Sequence, residues 1–171
     1  MNRKVMFGVM LLTILTFCGC VIRSDRGYRD DQPGYPGPPR DLSIGYQGHF
    51  SGIGWVEWVR DGMILGGEGG PNMEAIRINL NRFRIEYQAH VAGYGWMNVV
   101  SNGETAGTTG QFKSMQAIKI WLVDAPPNLR IIYRTFVQGL GWSRWVSKGA
   151  VAGTTGEGRP IQAIQIRLEA R

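Results

Sequence analysis

The chain has 171 residues and 43% of them are hydrophobic, which is enough for one packed domain once a targeting segment and a linker are set aside. From residue 42 onward, thirteen Lys and Arg against nine Asp and Glu give a net charge of +4, spread over the chain rather than gathered in a stripe. A concentrated basic stripe is typical of nucleic-acid binding, so nucleic acid is not expected as a partner. Abundant glycine, 25 residues, beside six tryptophans favours short strands joined by tight turns.

Residues 1–20 have the layout of a bacterial secretory signal, with a basic start and an apolar run over residues 5–17 that is too short to span a bilayer comfortably. The segment ends in a small residue followed by Cys20, which resembles a lipobox, although Phe17 stands where lipoboxes usually carry Leu. The resemblance implies that Cys20 is acylated and becomes the mature N-terminus, with palmitate among its acyl chains. Cys18 is a poorer acceptor because the bulky Phe17 would occupy the cleavage position. An ordinary cleaved signal and an uncleaved anchor remain alternatives.

Residues 21–42 are rich in Pro and Gly, and up to residue 41 four Arg balance four Asp, which predicts an extended flexible tether. A proline-motif ligand for a partner is the alternative. Val21, directly after the cysteine, lacks the Asp that often marks inner-membrane retention. If the host has two membranes, the outer membrane is therefore favoured, and the domain is expected outside the cytoplasm.

Residues 43–171 contain three copies of one repeat, over 44–80, 85–122 and 131–168. Each copy opens on a tyrosine, has a Gly-Trp pair in its first half and closes on Ala-Ile-x-Ile-x-Leu. The structural signature consists of Tyr46, Trp55, Tyr87, Trp96, Tyr133 and Trp142. Matching glycines follow in all three copies, so the spacing is too regular to arise by chance.

These residues resemble the clostridial hydrophobic W (ChW) repeat family, whose pattern runs from Tyr-x-x-His-Val through Gly-Trp and Ala-Gly-Thr-Thr-Gly to Ala-Ile-x-Ile-x-Leu. The second copy fits best, with Val99 at the second tryptophan position, whereas the third copy has Phe136 in place of His. The first copy departs most, at residues 65–69. Since the family occurs in extracellular and surface-attached bacterial proteins, the resemblance implies location and architecture more than activity.

The closing segments alternate with period two, as in Ile76, Ile78 and Leu80, which predicts strands with one buried face. The Tyr-x-x-His and Trp-x-x-Trp stretches predict two further strands per copy, and no window has sustained helical periodicity. One unit of three or four strands cannot bury its faces alone. We therefore expect an all-β domain with three-fold pseudo-symmetry, β-prism or β-trefoil-like, with a linear array as the alternative.

His49 and His90 occupy equivalent positions, and Phe136 replaces them in the third copy, which favours a packing role over a ligand or metal contact. No metal site is predicted, because the repeats have no Cys and only two His. Trp55, Trp96 and Trp142 are expected in the core rather than as platforms that stack on sugars.

The tryptophans that vary between copies are better candidates for surface contacts, namely Trp58, Trp121 and Trp145. The Ala-Gly-Thr-Thr-Gly segments lack the Lys and following helix of a phosphate-binding loop, so tight turns are expected there. Such turns could still line shallow polar pockets through Thr108, Thr109, Thr154 and Thr155.

No catalytic residue is predicted, because Glu57, Glu74, Glu104 and Glu157 stand at non-equivalent positions and neither histidine has a paired nucleophile. The sequence favours a non-catalytic envelope lipoprotein without a cofactor that binds a surface glycan or a protein partner. A structural lipoprotein that docks to an envelope complex is the alternative, and a small hydrolase the least favoured.

Overall fold

The computed structural model describes residues 41–170, so the predicted signal segment, lipidation at Cys20 and most of the tether lie outside the described residues. All regular secondary structure in this range is β-strand. No helix in it is long and apolar enough to cross a membrane.

Each repeat forms five strands. The first has β1 (Ile44–Phe50), β2 (Gly54–Trp55), β3 (Val59–Arg60), β4 (Ile64–Gly66) and β5 (Met73–Leu80). The second has β6 (Arg84–Val91), β7 (Gly95–Trp96), β8 (Val100–Ser101), β9 (Ala106–Gly107) and β10 (Met115–Val123). The third has β11 (Leu129–Val137), β12 (Gly141–Trp142), β13 (Val146–Ser147), β14 (Ala152–Gly153) and β15 (Ile161–Ala170).

In every repeat the long opening and closing strands pair antiparallel, and two short strands pair with the outer edge of the opening strand. The Trp-x-x-Trp stretch is therefore not the single strand that was predicted. In the first repeat, Trp55 lies opposite His49 and Arg60 opposite Gly45, so the short segment has one residue more than β1 between the two pairs. The extra residue forms a bulge, and Gln47 Nε2 donates across it to the carbonyl of Val56 at 2.7 Å.

The fifth strand of each sheet comes from the following repeat. β9 pairs with β5, β14 pairs with β10, and β4 pairs with β15. We call β4, β9 and β14 the exchanged strands, because each pairs with a strand of another repeat. The pairing of β4 with β15 joins the first repeat to the third and closes the ring. The all-β fold with three-fold pseudo-symmetry is thus confirmed, and the linear array is wrong, because a linear array would leave both ends without this pairing.

Glycine is required where these exchanged strands meet their partners. Gly107 and Gly153 have φ of +106° and +109°, and a Cβ there would come within 2.3 Å and 2.2 Å of the carbonyl oxygens of Glu74 and Gln116. The residue after each glycine donates its N–H to that same carbonyl, as Thr108 does to Glu74 at 3.0 Å. The Ala-Gly-Thr-Thr-Gly segment therefore joins adjacent repeats, beyond the local turn that was predicted.

The core lies between the three sheets. As the alternation predicted, Ile76, Ile78 and Leu80 of β5 are buried, as are their equivalents in β10 and β15 except Leu122, which is partly buried and packs against the core. At the centre the tyrosines Tyr46, Tyr87 and Tyr133 are fully buried. Desolvation raises the pKa of Tyr87 and of Tyr133 to about 12 and raises the pKa of Tyr46 as well.

Candidate functional site

The outward faces of the three sheets carry the repeated tryptophans. Trp55, Trp96 and Trp142 are half-buried and do not belong to the core, so the expectation that they are core residues is wrong. Each ring packs edge-to-face on the aromatic residue opposite it, with centroid distances of 5.4 Å to His49, 5.3 Å to His90 and 5.7 Å to Phe136. Since Phe136 keeps the same contact, the shared role of this position is packing.

A cation lies over each of these tryptophan rings. Arg77 Cζ is 4.2 Å from the centroid of Trp55, and Lys119 Nζ is 4.2 Å from that of Trp96. In the third repeat the cation comes from the other strand, because Arg134 Cζ lies 4.6 Å from the ring of Trp142. These cations were not predicted from the sequence, because the cation stands on the closing strand in the first two repeats and on the opening strand in the third.

The cation and an amide side chain change places between two directly paired positions. Gln47 pairs with Arg77 and Gln88 with Lys119, whereas the third repeat has Arg134 on the opening strand and Gln165 on the closing strand. One amide and one cation are thus kept, and the cation reaches the ring from either side. A ring covered in this way has less surface with which to stack on a sugar.

One outward cross-strand pair differs completely between the copies. It is Gly45 with Asn79 in the first repeat, Glu86 with Trp121 in the second and Ile132 with Arg167 in the third. The second tryptophan position of each repeat lies beside this pair, so the pair decides what that tryptophan contacts.

In the third repeat the second tryptophan, Trp145, is half-buried. The guanidinium carbons of Arg134 and Arg167 both lie 4.7 Å from its ring centroid. Trp145 is therefore covered by cations, and in the second repeat Val99 has no aromatic surface at all. These two copies lack an open tryptophan face at this position.

In the first repeat the second tryptophan is open. Trp58 is 44% exposed, and its six-membered ring lies over Gly45, where an added Cβ would be 3.5 Å from Cε3. Because Gly45 has no side chain, the ring rests against the strand and leaves its other surface to solvent. Trp58 lines a shallow cleft of about 240 Å³, the Trp58 cleft, whose other lining residues are Ser43, Gly45, Val59, Arg60, Asn79 and Asn81.

Polar groups surround this exposed aromatic surface. Arg60 and Asn79 are both exposed at its rim. Asn81 fixes the edge of the cleft, since it accepts from Ser43 N at 3.1 Å and donates to the carbonyl of Asp41 at 2.7 Å. An open indole face with an amide and a guanidinium beside it suits a ligand that has both C–H faces and hydroxyl groups.

The comparison with protein families agrees with the repeat geometry. Residues 49–82, 90–124 and 136–170 each match the family described as clostridial hydrophobic W, ChW, and the three matches together cover more than half of the chain. The chain belongs to the ChW family. Each match begins within an opening strand, after its buried tyrosine, so the folded ChW unit starts earlier than the matched segment. Comparison with curated proteins and with solved structures finds no match.

The remaining predicted site residues are dispersed over the ChW domain. Trp121 is half-buried and lines a second cleft, between the second and third repeats. Thr108 is buried and donates to the carbonyl of Lys113 at 3.3 Å, which is a local structural bond. Thr154 is partly buried, and only Thr109 and Thr155 are exposed. The structure therefore does not bring the four threonines and three variable tryptophans into one site.

The ChW domain also has three equivalent apolar tips, which the sequence reading missed. Ile53, Tyr94 and Leu140 stand between two glycines in the turn before each Gly-Trp pair, and they are 58%, 59% and 56% exposed. The Gly-x-Gly-Trp spacing was the available signal, because a large apolar residue inside a tight turn has no core to enter.

The histidines do not form a metal cluster within residues 41–170, where no three potential metal ligands lie together. His49 Nδ1 lies 3.1 Å from Oε2 of the buried Glu74, without the alignment of a hydrogen bond. Gln116 and Gln162 replace Glu74 in the other copies, and they are buried as well. The pair is thus particular to the first repeat.

Proposed function

We propose that this ChW domain is a non-catalytic module that binds a surface glycan at the bacterial cell envelope, where acylated Cys20 anchors it to the membrane. The observation that carries the proposal is the Trp58 cleft, in which an open indole face lies beside polar side chains. The predicted secretory signal and the surface-attached proteins in which ChW repeats occur support the location.

The chemistry of the cleft suits a sugar chain better than a compact ligand. At about 240 Å³ it is smaller than the roughly 300–1,000 Å³ typical of small-molecule pockets, and it is open along the sheet. The C–H face of one sugar ring can stack on Trp58 while Asn79 and Arg60 bond to its hydroxyls. Neighbouring sugars would then extend over the outward face of the sheet.

Substitution of Trp58 tests the proposal directly. Trp58→Val places at this position the residue that the second repeat has, Val99, so the fold should be retained. Isothermal titration of the full-length protein in detergent against envelope polysaccharides and soluble peptidoglycan fragments should give at least tenfold weaker binding for Trp58→Val, because the stacking surface is lost. Val99→Ala is the matched control in the second repeat and should bind as the wild type does.

Two results would count against the proposal. Either no immobilised glycan retains the wild-type protein, or a retained glycan binds Trp58→Val and the wild type with equal affinity. Circular dichroism and thermal unfolding of each variant separate loss of binding from loss of fold.

A second function, docking to an envelope protein complex without sugar contact, is favoured by the apolar tips Ile53, Tyr94 and Leu140. Each tip is more than half exposed and stands between two glycines, and the three equivalent positions would give a protein partner three matching apolar contacts. Crosslinking in cells followed by purification should then recover one stoichiometric protein partner. The triple substitution of the tips to Ser should lose that partner, whereas Trp58→Val should retain it.

A further inference from the structure

The second cleft of the domain lies where the chain passes from the second repeat to the third. The connection between β10 and β11 runs over residues 124–128 and contains Pro126 and Pro127, whereas β5 and β6 are joined by residues 81–83 alone. The longer connection forms one wall of a cleft of about 500 Å³, which we name the junction cleft. This volume is within the range typical of small-ligand pockets.

Trp121 supplies a fixed aromatic surface in the junction cleft. Its indole Nε1 donates to Glu86 Oε2 at 3.0 Å, and an added Cβ on Gly149 would be 3.6 Å from its Cε3. The ring is therefore held at its Nε1 edge by the second repeat and contacted near Cε3 by a turn of the third. A ring that is already oriented loses little conformational entropy when a ligand stacks on it.

Two cations line the same cleft, and they are not equivalent. Arg130 pairs through Nη2 with the buried carboxylate of Glu169. Lys148 is exposed and forms no ion pair within the part of the chain that the structure describes. Lys148 also has φ of +53°, a backbone conformation that L-residues other than Asn, Asp and Gly rarely adopt. The cleft thus holds one uncommitted positive charge.

The positions equivalent to Lys148 show what a purely structural residue does there. Asp61 in the first repeat accepts from the N–H of Ile44 at 2.9 Å, and Asn102 in the second accepts from that of Ile85 at 2.7 Å. Lysine has no acceptor and cannot form this bond. The third repeat has therefore given up a stabilising cap at a strained position and gained a cation beside Trp121.

We infer that the junction cleft binds a sugar carrying a carboxylate, with the sugar ring stacked on Trp121 and the carboxylate paired with Lys148. A monoanion fits better than a phosphate ester, because one cation is uncommitted and Asp124 also lines the cleft. A phosphate group has a charge of about −1.5 to −2 at neutral pH, which Asp124 would repel more strongly. This site is separate from the Trp58 cleft and extends the proposed function to acidic glycans.

The test is titration of the full-length protein with galacturonate, with its neutral methyl ester and with galactose 1-phosphate. We expect wild-type protein to bind galacturonate at least tenfold more tightly than either other probe. Lys148→Asn installs the residue of the second repeat, so the fold is expected to survive, and it should weaken galacturonate binding about tenfold or more. Lys113→Asn removes the same charge from an exposed loop elsewhere and is the matched control.

The inference is overturned if wild-type protein does not bind galacturonate, if the methyl ester or the phosphate binds equally tightly, or if Lys148→Asn binds galacturonate as the wild type does. Trp121→Asn, which copies Asn79 of the first repeat, should also lose binding. Trp58→Val separates this site from the proposed function. Retained galacturonate binding supports the junction cleft, whereas its loss would place the acidic ligand in the Trp58 cleft.

Discussion

The hydroxyl of Tyr133, in the third repeat, accepts a hydrogen bond at 3.0 Å from the backbone N–H of Ile120, in the closing strand of the second. The same hydroxyl donates to the carbonyl of Ala150. Tyr87 accepts from Ile78 at 3.1 Å, and Tyr46 from Ile166 at 3.3 Å, which closes the circle between the third repeat and the first. Each core tyrosine is thus a polar link between two repeats.

Loss of one tyrosine hydroxyl should destabilise the whole domain. Tyr133→Phe leaves the buried N–H of Ile120 and the partly buried carbonyl of Ala150 without this partner, which should cost about 1–3 kcal/mol in the free energy of unfolding. Urea denaturation followed by tryptophan fluorescence measures the loss. Tyr94→Phe is the control, because the Tyr94 hydroxyl bonds to Gln111 at an exposed position and should change stability by less than about 0.5 kcal/mol. Equal stabilities for both variants would contradict the prediction.

Stability should fall as the pH rises above 10. Tyrosines in the unfolded chain lose their protons near pH 10, whereas in the fold burial raises the pKa of Tyr87 and of Tyr133 to about 12. Between these values the unfolded state binds fewer protons, so it gains stability by up to about 1.4 kcal/mol per pH unit for each core tyrosine. The stabilisation from the buried, protonated tyrosines is fully present below pH 10. Urea midpoints from pH 9 to pH 12 give the slope, and Tyr133→Phe should reduce it. Parallel slopes for the two proteins would refute the mechanism.

Strand exchange predicts two very different outcomes for two glycines of one loop. Gly153→Ala would bring a Cβ within 2.2 Å of the Gln116 carbonyl at φ of +109°, so it should cost more than about 2 kcal/mol or prevent folding. Gly156→Ala has φ of +76° and meets nothing within 4 Å, so its cost should stay near 1 kcal/mol. Thermal unfolding compares them. Similar melting temperatures for the two variants would contradict the prediction, because they would show that the backbone at Gly153 can shift away from the Gln116 carbonyl at little cost.

The repeat, its strands and its closure into one all-β body could be predicted, because the period-two alternation of the closing strands and the recurring glycines are local signals. The pairing of a short strand with a strand of another repeat could not be predicted. A two-residue strand such as Ala106–Gly107 has no periodicity, and its partner, Ala75 with Ile76, belongs to another repeat. The need for glycine there comes from a backbone contact that only the assembled ring creates.

The outward position of His49 was readable from the sequence, whereas that of Trp55 depends on its pairing with His49, which only the structure gives. Tyr46 and His49 are three residues apart on one strand, so they face opposite sides of the sheet. Because Trp55 pairs with His49, it shares the outward face with it. The difference between open Trp58 and covered Trp145 was not readable, since it depends on cross-strand partners that are known only once the register is known.

Lipidation is predicted at one of two neighbouring cysteines. Cys20→Ser should abolish incorporation of labelled palmitate and release the protein from membranes, because no acyl acceptor then follows the cleavage position. Cys18→Ser should remain fully acylated, and it is the matched control two residues away. Labelling in a bacterial host with fractionation of its membranes measures both. Acylation that persists in Cys20→Ser would show that the lipobox assignment is wrong.

The exchange of amide and cation between paired strands predicts that the third repeat tolerates the arrangement of the other two. Arg134→Gln alone removes the guanidinium from the rings of Trp142 and Trp145, which should cost about 1–2 kcal/mol. Adding Gln165→Arg places the cation where Arg77 and Lys119 stand in the other repeats, so the double variant should regain about half of this loss. A double-mutant cycle in urea gives the coupling energy. If the second substitution lowers the stability further, an arginine on the closing strand does not replace Arg134 as the cation over Trp142, and the prediction is wrong.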